Sequence, residues 1–303
     1  MIKYYKRTIR DKKIKEISEM EVGSWINVVN PTDEEIDFLV KEFDLDRRNL
    51  ESGLDQNEIP RLDFVDSDVY FFSKTAPEQR KNRIETYLVV INKNFILTLS
   101  KTEPYFLEKI FKGKTKFVTT QKLKCVIKLF SLLNDSFEKL TINVVKRVQA
   151  ERKTTSDLQE KELNNLLEQE DILNTLVSSY YYMNLLYDKA SRKVKFFDQD
   201  KEILEDLITE ATQGLDLCRS SLKTISNIRN YYVIFLSNKL NKIITILTVY
   251  TIIISIPAAI SGIYGMNVLL PFADNPNIFS YLVLIIVFIW AGFIFYLKKK
   301  KII

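Results

Sequence analysis

Two uncharged apolar runs near the C-terminus constrain this chain more than any other feature. Ile243 to Tyr264 is 22 residues without a formal charge, and Phe279 to Leu297 is a second run of 19. At about 1.5 Å per residue, the first spans about 33 Å as a helix, enough to cross a bilayer core. A helix of a soluble core rarely stays apolar around its whole circumference for that length, so the runs predict two membrane-spanning helices. The N-terminal stretch MIKYYKRTIRDKKIKE is basic and lacks the apolar centre of a signal peptide, which leaves insertion to the C-terminal runs. Lys239 and Lys242 precede the first run, Lys298–Lys301 follow the second, and the connecting loop 265–278 holds no Lys or Arg and one acid, Asp274. By the positive-inside rule, both termini are expected in the cytoplasm and the loop outside the cell membrane, with the lysines as a topology anchor.

The rest of the chain has the composition of a charged soluble protein, and the expected class is an α+β membrane protein in three parts. Residues 1–120 predict an α/β domain, 121–242 a helical region and stalk, and 243–303 the transmembrane part, with helices over 243–264 and 279–297. In the first part, SWINVVN (Ser24–Asn30), DVYFFSK (Asp68–Lys74), TYLVVIN (Thr86–Asn92) and NFILTLS (Asn94–Ser100) are β-branched and aromatic, as strands are. The last two are separated by one residue, which predicts a hairpin. PTDEEIDFLVKEFDL predicts a helix with Thr32 as cap, Glu35 completing a capping box, and Ile36, Leu39, Val40 and Phe43 as its apolar face. From Tyr105 to Ile256 there is no proline, and Gly113 and Gly214 are the only glycines. Helices are expected near Gln121–Ala150 and Thr154–Arg192, with a third starting near Asp198 and continuing into the membrane. In the third, Leu204, Ile208, Ala211, Leu215, Cys218, Leu222 and Ile225 form a coiled-coil-like seam for packing within the chain or between copies.

Composition removes several function classes. There is no histidine, so the commonest transition-metal ligand and general base are missing. Cys125 and Cys218 are 93 residues apart and form no CxxC pair, which fits a reducing cytoplasm and not a thiolate metal site. No nucleophile–base pair, phosphate-binding glycine loop or nucleotide motif is legible, so neither an enzyme nor a nucleic-acid partner is expected.

The first apolar run carries a pattern that an anchor does not need. Thr248, Thr251, Ser255, Ala258 and Gly262 recur at 3-4-3-4 spacing on one helix face, and the line extends back to Ile244 and Asn241. Small residues permit close helix packing in lipid. Equally, several copies around an axis would line a narrow, partly hydrated pore with the stripe. Pro257 removes one backbone hydrogen bond within the span and is a candidate hinge.

The run ends on YGMN, Tyr264–Asn267, at the outer end of the penultimate membrane helix, ahead of a short loop and a lysine-rich C-terminus. In this the chain resembles the CorA family of magnesium transporters, whose signature is that Gly-Met-Asn. NPTDEEIDFL (Asn30–Leu39) and LDQNEIPRLDF (Leu54–Phe64) are similar to the family's cytoplasmic domain, so the resemblance covers the whole chain. It implies a homopentamer in membrane lipid, with five first helices around the pore, long stalk helices, and α/β domains that regulate opening. It also implies a pore line of Asn241, Ile244, Leu247, Thr251, Ser255, Ala258 and Gly262, with Asn267 in the outer mouth. That line matches the stripe except that Leu247 replaces Thr248 at one turn. Ser255 stands where the family more often has a large apolar residue, which shifts the expected hydrophobic gate to Ile244 and Leu247.

On this reading, hydrated Mg²⁺ is the cargo. Mg²⁺ dehydrates reluctantly, so a ring of neutral Asn267 carbonyl oxygens can hold it through its coordinated water. Gly265 is expected to let the backbone turn at the helix end, Met266 to pack on a neighbouring helix, and Tyr264 to support the loop. Asp206 aligns, by its distance from the signature, with an aspartate that binds regulatory Mg²⁺ between subunits in relatives, with Glu78 or Glu85 as partner acid. DLQEKELNNLLEQED (Asp157–Asp171) carries six acids against one lysine and is either a solvated helix face or a cation-attracting rim. Two alternatives stand beside Mg²⁺ influx: transport of Co²⁺, Ni²⁺ or Zn²⁺ on the same scaffold, and a membrane-anchored sensor that does not conduct.

Overall fold

The computed structural model describes residues 1–77, 84–153, 160–268, 271 and 275–299. Glu78, Asp274, Lys300, Lys301 and the start of the acidic run lie outside the described residues. The chain divides into two compact units, Met1–Ile228 and Arg229–Ile303.

In chain order, the first unit contains β1 (Ile2–Lys6), β2 (Lys15–Ile17), β3 (Trp25–Val29), α1 (Asp33–Phe43), α2 (Arg47–Leu54), β4 (Arg61–Val65), β5 (Asp68–Thr75), β6 (Glu85–Ile91), β7 (Ile96–Ser100), α3 (Leu107–Phe111), α4 (Lys122–Lys153) and α5 (Glu160–Lys193). α6 (Asp198–Tyr264) starts in this unit and ends in the second, which also holds α7 (Ile278–Lys299).

The strands form one mixed sheet in the order β2-β1-β3-β7-β6-β5-β4, with β3 and β7 parallel and the other pairs antiparallel. Both faces of its centre are covered, which is why the central strands are continuous apolar runs rather than alternating ones. Ile26, Val28, Tyr70, Phe72, Leu88, Val90, Leu97 and Leu99 pack with Ile36, Leu39 and Phe43 of α1 and Leu50 of α2. On the other face, Phe71 meets Phe130 of α4 edge-on at 5.6 Å, and Tyr87 meets Phe106 at 5.7 Å. A buried polar chain runs across that face: Trp25 Nε1 donates to Thr98 Oγ1 at 2.8 Å, and Thr98 Oγ1 donates to Asn27 Oδ1 at 2.9 Å.

The four expected strands and their hairpin are present, the β6–β7 turn closing through Asn92 N to Phe95 O at 3.0 Å. α1 has its Thr32 cap and the reciprocal Glu35 capping box. β1, β2, β4, α2 and α3 are additions to the sequence reading.

α4, α5 and the first part of α6 pack together. Asn134 of α4 ties all three: its Nδ2 donates to Leu207 O at 3.0 Å, and its Oδ1 accepts from Tyr187 Oη at 3.0 Å. Two turns further, the Thr141 and Tyr180 hydroxyls pair at 3.0 Å, and Cys218 Sγ lies 4.0 Å from Thr141 Oγ1. Gly214 makes this approach possible, because a Cβ there would lie 2.4 Å from Tyr180 Cζ. The buried face of α6 is Asp200, Leu204, Leu207, Ala211, Leu215, Cys218, Ser221, Ile225 and Ile228. Leu207 and Ser221 thus stand in the seam where Ile208 and Leu222 were expected, because α4 and α5 take a face rotated by one residue at those turns. This seam is packed within the chain. Both thiols are free and buried. Burial pushes Cys218 up to about 11 and raises Cys125 as well, so neither is a thiolate ligand at neutral pH.

Candidate functional site

In the second unit, α6 continues as a regular helix through Pro257 to Tyr264, and α7 is the other helix. Both are long and apolar enough to cross a membrane. The side of α6 that meets α7 is marked by the indole of Trp290, whose Nε1 donates to Ile253 O at 3.2 Å. Around Ile253, the residues Val249, Ile252, Ile256, Pro257 and Ile260 are half-buried. On α7 the half-buried residues Leu282, Ile286, Trp290 and Phe293 recur at spacings of four and three, one helix face.

The predicted pore line lies elsewhere. Asn241, Ile244, Leu247, Thr248, Thr251, Ser255, Ala258 and Gly262 are all exposed in the single chain. At 3.6 residues per turn, they centre about half a turn from Ile253 and Ile260. The small and polar stripe is therefore on the face of α6 turned away from α7. Within one chain, the stripe does not pack against α7, which leaves close packing between copies and a pore lining as its two uses.

The hydroxyls on this face all bond backward to their own helix, the threonines to the carbonyl four residues before and Ser255 to the one three before. Thr248 Oγ1 donates to Ile244 O at 2.8 Å, Thr251 Oγ1 to Leu247 O at 2.9 Å, and Ser255 Oγ to Ile252 O at 3.1 Å. Each proton is spent on the helix's own backbone. What the hydroxyls can still offer outward is acceptor lone pairs, which suit the protons of a cation's coordinated water.

At the end of α6, Gly265 N donates to Ser261 O at 2.9 Å and Met266 N to Ile263 O at 3.3 Å. The helix ends at Tyr264 and the chain turns from Gly265 on, without entering the left-handed region: the positive-φ glycines among the described residues are Gly23 and Gly113. Space is tight there: a Cβ would sit 3.1 Å from Ser261 O, the carbonyl that its own N–H bonds. Met266 and Asn267 are exposed, and Tyr264 is half-buried.

Asp206 is exposed on α6, outside the seam. Of its two possible partner acids, Glu85 is buried and accepts from Thr102 Oγ1 at 2.6 Å, while Glu78 lies outside the described residues. Among the described residues, no three potential metal ligands come together in one chain. In the acidic run, Leu166 and Gln169 are buried while Glu168 and Asp171 are exposed, the pattern of an amphipathic helix surface. A cleft of about 720 Å³ lies among α2, β4 and α5, but its charges are largely used internally. Arg61 pairs with Glu58 and Asp63, and Lys189 donates to Leu62 O at 2.7 Å.

An N-terminal α/β domain followed by a very long helix and a C-terminal hairpin of two membrane-type helices defines a class of integral membrane protein. A family model for the CorA-like Mg²⁺ transporter protein matches residues 21–299, and the chain belongs to that family, which is one of transporters and not of enzymes. A curated relative, the cobalt/magnesium transport protein CorA of Methanocaldococcus jannaschii, is 27% identical, with 91% of this chain and 90% of that protein covered. The complete structure of the CorA magnesium transporter from Methanocaldococcus jannaschii superposes with a TM-score of 0.87 at 22% identity, covering 98% of this chain and 97% of that one. The structure of the full-length CmaX protein gives a TM-score of 0.76 at 16% identity, covering 99% and 96%.

Proposed function

We propose that this protein is a channel-type transporter that admits Mg²⁺ into the cell, working as a homopentamer with α6 of each copy around a central axis. The observation that carries the reading is the placement of the stripe. It faces away from α7, its hydroxyls offer acceptors, and it leads to the Gly-Met-Asn segment. A lipid-facing surface gains nothing from such groups, whereas a hydrated path between copies does. Asn267 is the outer ring that holds the ion through its coordinated water. Ile244 and Leu247 form the narrow apolar stretch towards the cytoplasm. A neutral ring suits the task because a ring of carboxylates would hold a divalent ion too long for rapid passage. Moving two charges inward gains about 4.6 kcal/mol per 100 mV, negative inside.

Asp206 is the regulatory ligand of this proposal. A carboxylate exposed on α6 is available to a neighbouring copy, and the absence of a ligand cluster among the described residues of one chain fits a site shared between chains. Both termini are placed in the cytoplasm, with the 265–278 loop outside. The name of the relative in Methanocaldococcus jannaschii supports Co²⁺ as a second cargo. A dedicated path for Ni²⁺ or Zn²⁺ is less favoured, since the chain has no histidine and both cysteines are buried.

The test is ion uptake into liposomes containing the purified protein, with Mg²⁺, Co²⁺, Ni²⁺ and Zn²⁺ compared under an inside-negative potential. Mg²⁺ uptake blocked by external cobalt hexaammine, an inert mimic of the hydrated ion, is the expected result. No uptake of any ion would favour the non-conducting sensor.

A further inference from the structure

Pro257 has no N–H, so the carbonyl four residues before it, that of Ile253, has no helical donor. Ile253 lies in the middle of the 243–264 span, where lipid offers no replacement and a bare carbonyl costs several kcal/mol. Trp290 Nε1 donates to that same carbonyl, at 3.2 Å. The indole is on the neighbouring helix, near the centre of α7, and not at the membrane interface where tryptophans usually sit with their N–H among headgroups. An indole N–H at this depth needs a partner, as the carbonyl needs a donor. Each group meets the other's need.

We infer that Trp290 is a positioning residue for the ion path: its indole N–H takes the place of the donor that Pro257 removes and fixes the rotation of α6 at its interrupted turn. This rests on reading α6 as the pore helix. Ile253 lies between Thr251 and Ser255, whose side chains face the opposite way. Holding the Ile253 carbonyl towards α7 holds those two hydroxyls away from it. Without the bond, the interrupted turn would seek another donor by rotating or bending. Thr251 and Ser255 would then leave the line set by Thr248 and Ala258. The bond also makes α7 the part of the hairpin that sets the geometry of the proline turn, a role that a plain lipid-facing anchor would not have.

The experiment is a double-mutant cycle on the full-length protein, W290F, P257A and both together, read by Mg²⁺ uptake in liposomes and by thermal melting in detergent. Replacing Pro257 with Ala returns a backbone N–H to the Ile253 carbonyl and makes the indole donor redundant. W290F is expected to lower uptake by about threefold to tenfold with Pro257 present and by less than about twofold with P257A, with the same dependence in melting. Equal losses in both backgrounds would overturn the inference and leave the ring as ordinary packing. Coupling in melting with equal losses of uptake would make Trp290 a brace and also overturn the positioning role. Should P257A itself not conduct, Trp290 replaced by its benzothienyl isostere, which has sulfur for N–H, decides the matter, and wild-type uptake would overturn it. Absence of uptake in the unmodified protein would instead defeat the pore reading and with it the positioning role, while the melting cycle would still report on the bond.

Discussion

Gly214→Ala is a substitution in which two opposed effects can be weighed on the structure. Within a helix, Ala is preferred over Gly by about 1 kcal/mol, so the change would stabilise an unobstructed helix. At this position the added Cβ would lie 2.4 Å from Tyr180 Cζ and 2.7 Å from both Cε1 and the hydroxyl oxygen. Ordinary carbon contacts are about 3.5–4.0 Å, so the ring would have to retreat by more than about 1 Å. It has little room: Tyr180 is fully buried, packs edge-on against Phe137 at 5.5 Å, and holds Thr141 through its hydroxyl. Overpacking of this kind costs about 1–3 kcal/mol, and loss of the Thr141 bond adds about 1 kcal/mol. The contact outweighs propensity, and a net loss of about 1–3 kcal/mol is expected. For a unit of this size that lowers the melting temperature by about 2–12 °C. The assay is circular dichroism of the purified full-length protein during heating. Tyr180→Leu should recover part of the loss in the Gly214→Ala background, because the two changes share one contact. A Gly214→Ala protein that melts at or above the wild-type temperature would refute the close approach of α5 and α6.

Asp206→Asn is expected to raise the internal Mg²⁺ concentration needed for closure by about fivefold, since about 1 kcal/mol of charge attraction is removed. Current measured against internal Mg²⁺ checks this, and an unchanged curve would move the regulatory site elsewhere. Alkaline stability should fall as pH rises from about 10 to 12, because burial, with nearby Asp68, Asp46 and Asp44, pushes Tyr70 up to about 12. A group with a raised folded value stabilises fully below its unfolded value and loses that contribution as pH climbs to the folded one. Buried Tyr5, Tyr87, Tyr180 and Tyr187 are raised too and add to the slope, so Tyr70→Phe should make the fall of melting temperature over that window shallower without removing it, and an unchanged slope would count against the assignment.

The parts of the fold legible in the sequence are those where one physical demand dominates. β3 and β5–β7 are buried on both faces and so carry mostly β-branched, aromatic and other apolar residues. α1 carries its cap and its apolar face in the same dozen letters. The elements that escaped are those whose burial is hidden by charge. β4 reads RLDFV, yet Arg61 stacks over the Phe72 ring at 3.9 Å while pairing with Glu58 and Asp63. α2 buries only Asn49, Leu50 and Gly53 of its eight residues, too few to show a period. In the α6 seam, Ile208 and Leu222 compete with Leu207 and Ser221, and the packing of the neighbouring helices on α6, not its own spacing, buries the second pair. The stripe in α6 was visible as spacing. Its direction relative to α7 was not, because spacing defines a face but not what covers it. The tie between Trp290 and Ile253 likewise depends on the pairing of two helices that no local pattern encodes.

If ions pass an Asn267 ring in hydrated form, as proposed, Mg²⁺ uptake into liposomes must depend on that amide, and Asn267→Ala removes it. Asn267 is exposed beyond the end of α6, so its truncation should leave folding intact. Assembly is checked by the mass of the detergent-solubilised complex, expected to be that of five chains for both proteins. Each chain would lose the amide oxygen that accepts from the ion's coordinated water, and a ring of methyl groups would offer nothing in its place. The expected result is a pentamer whose Mg²⁺ uptake falls by at least about tenfold, the scale of one lost charge-assisted hydrogen bond. A pentameric Asn267→Ala protein that takes up Mg²⁺ at the wild-type rate would contradict it.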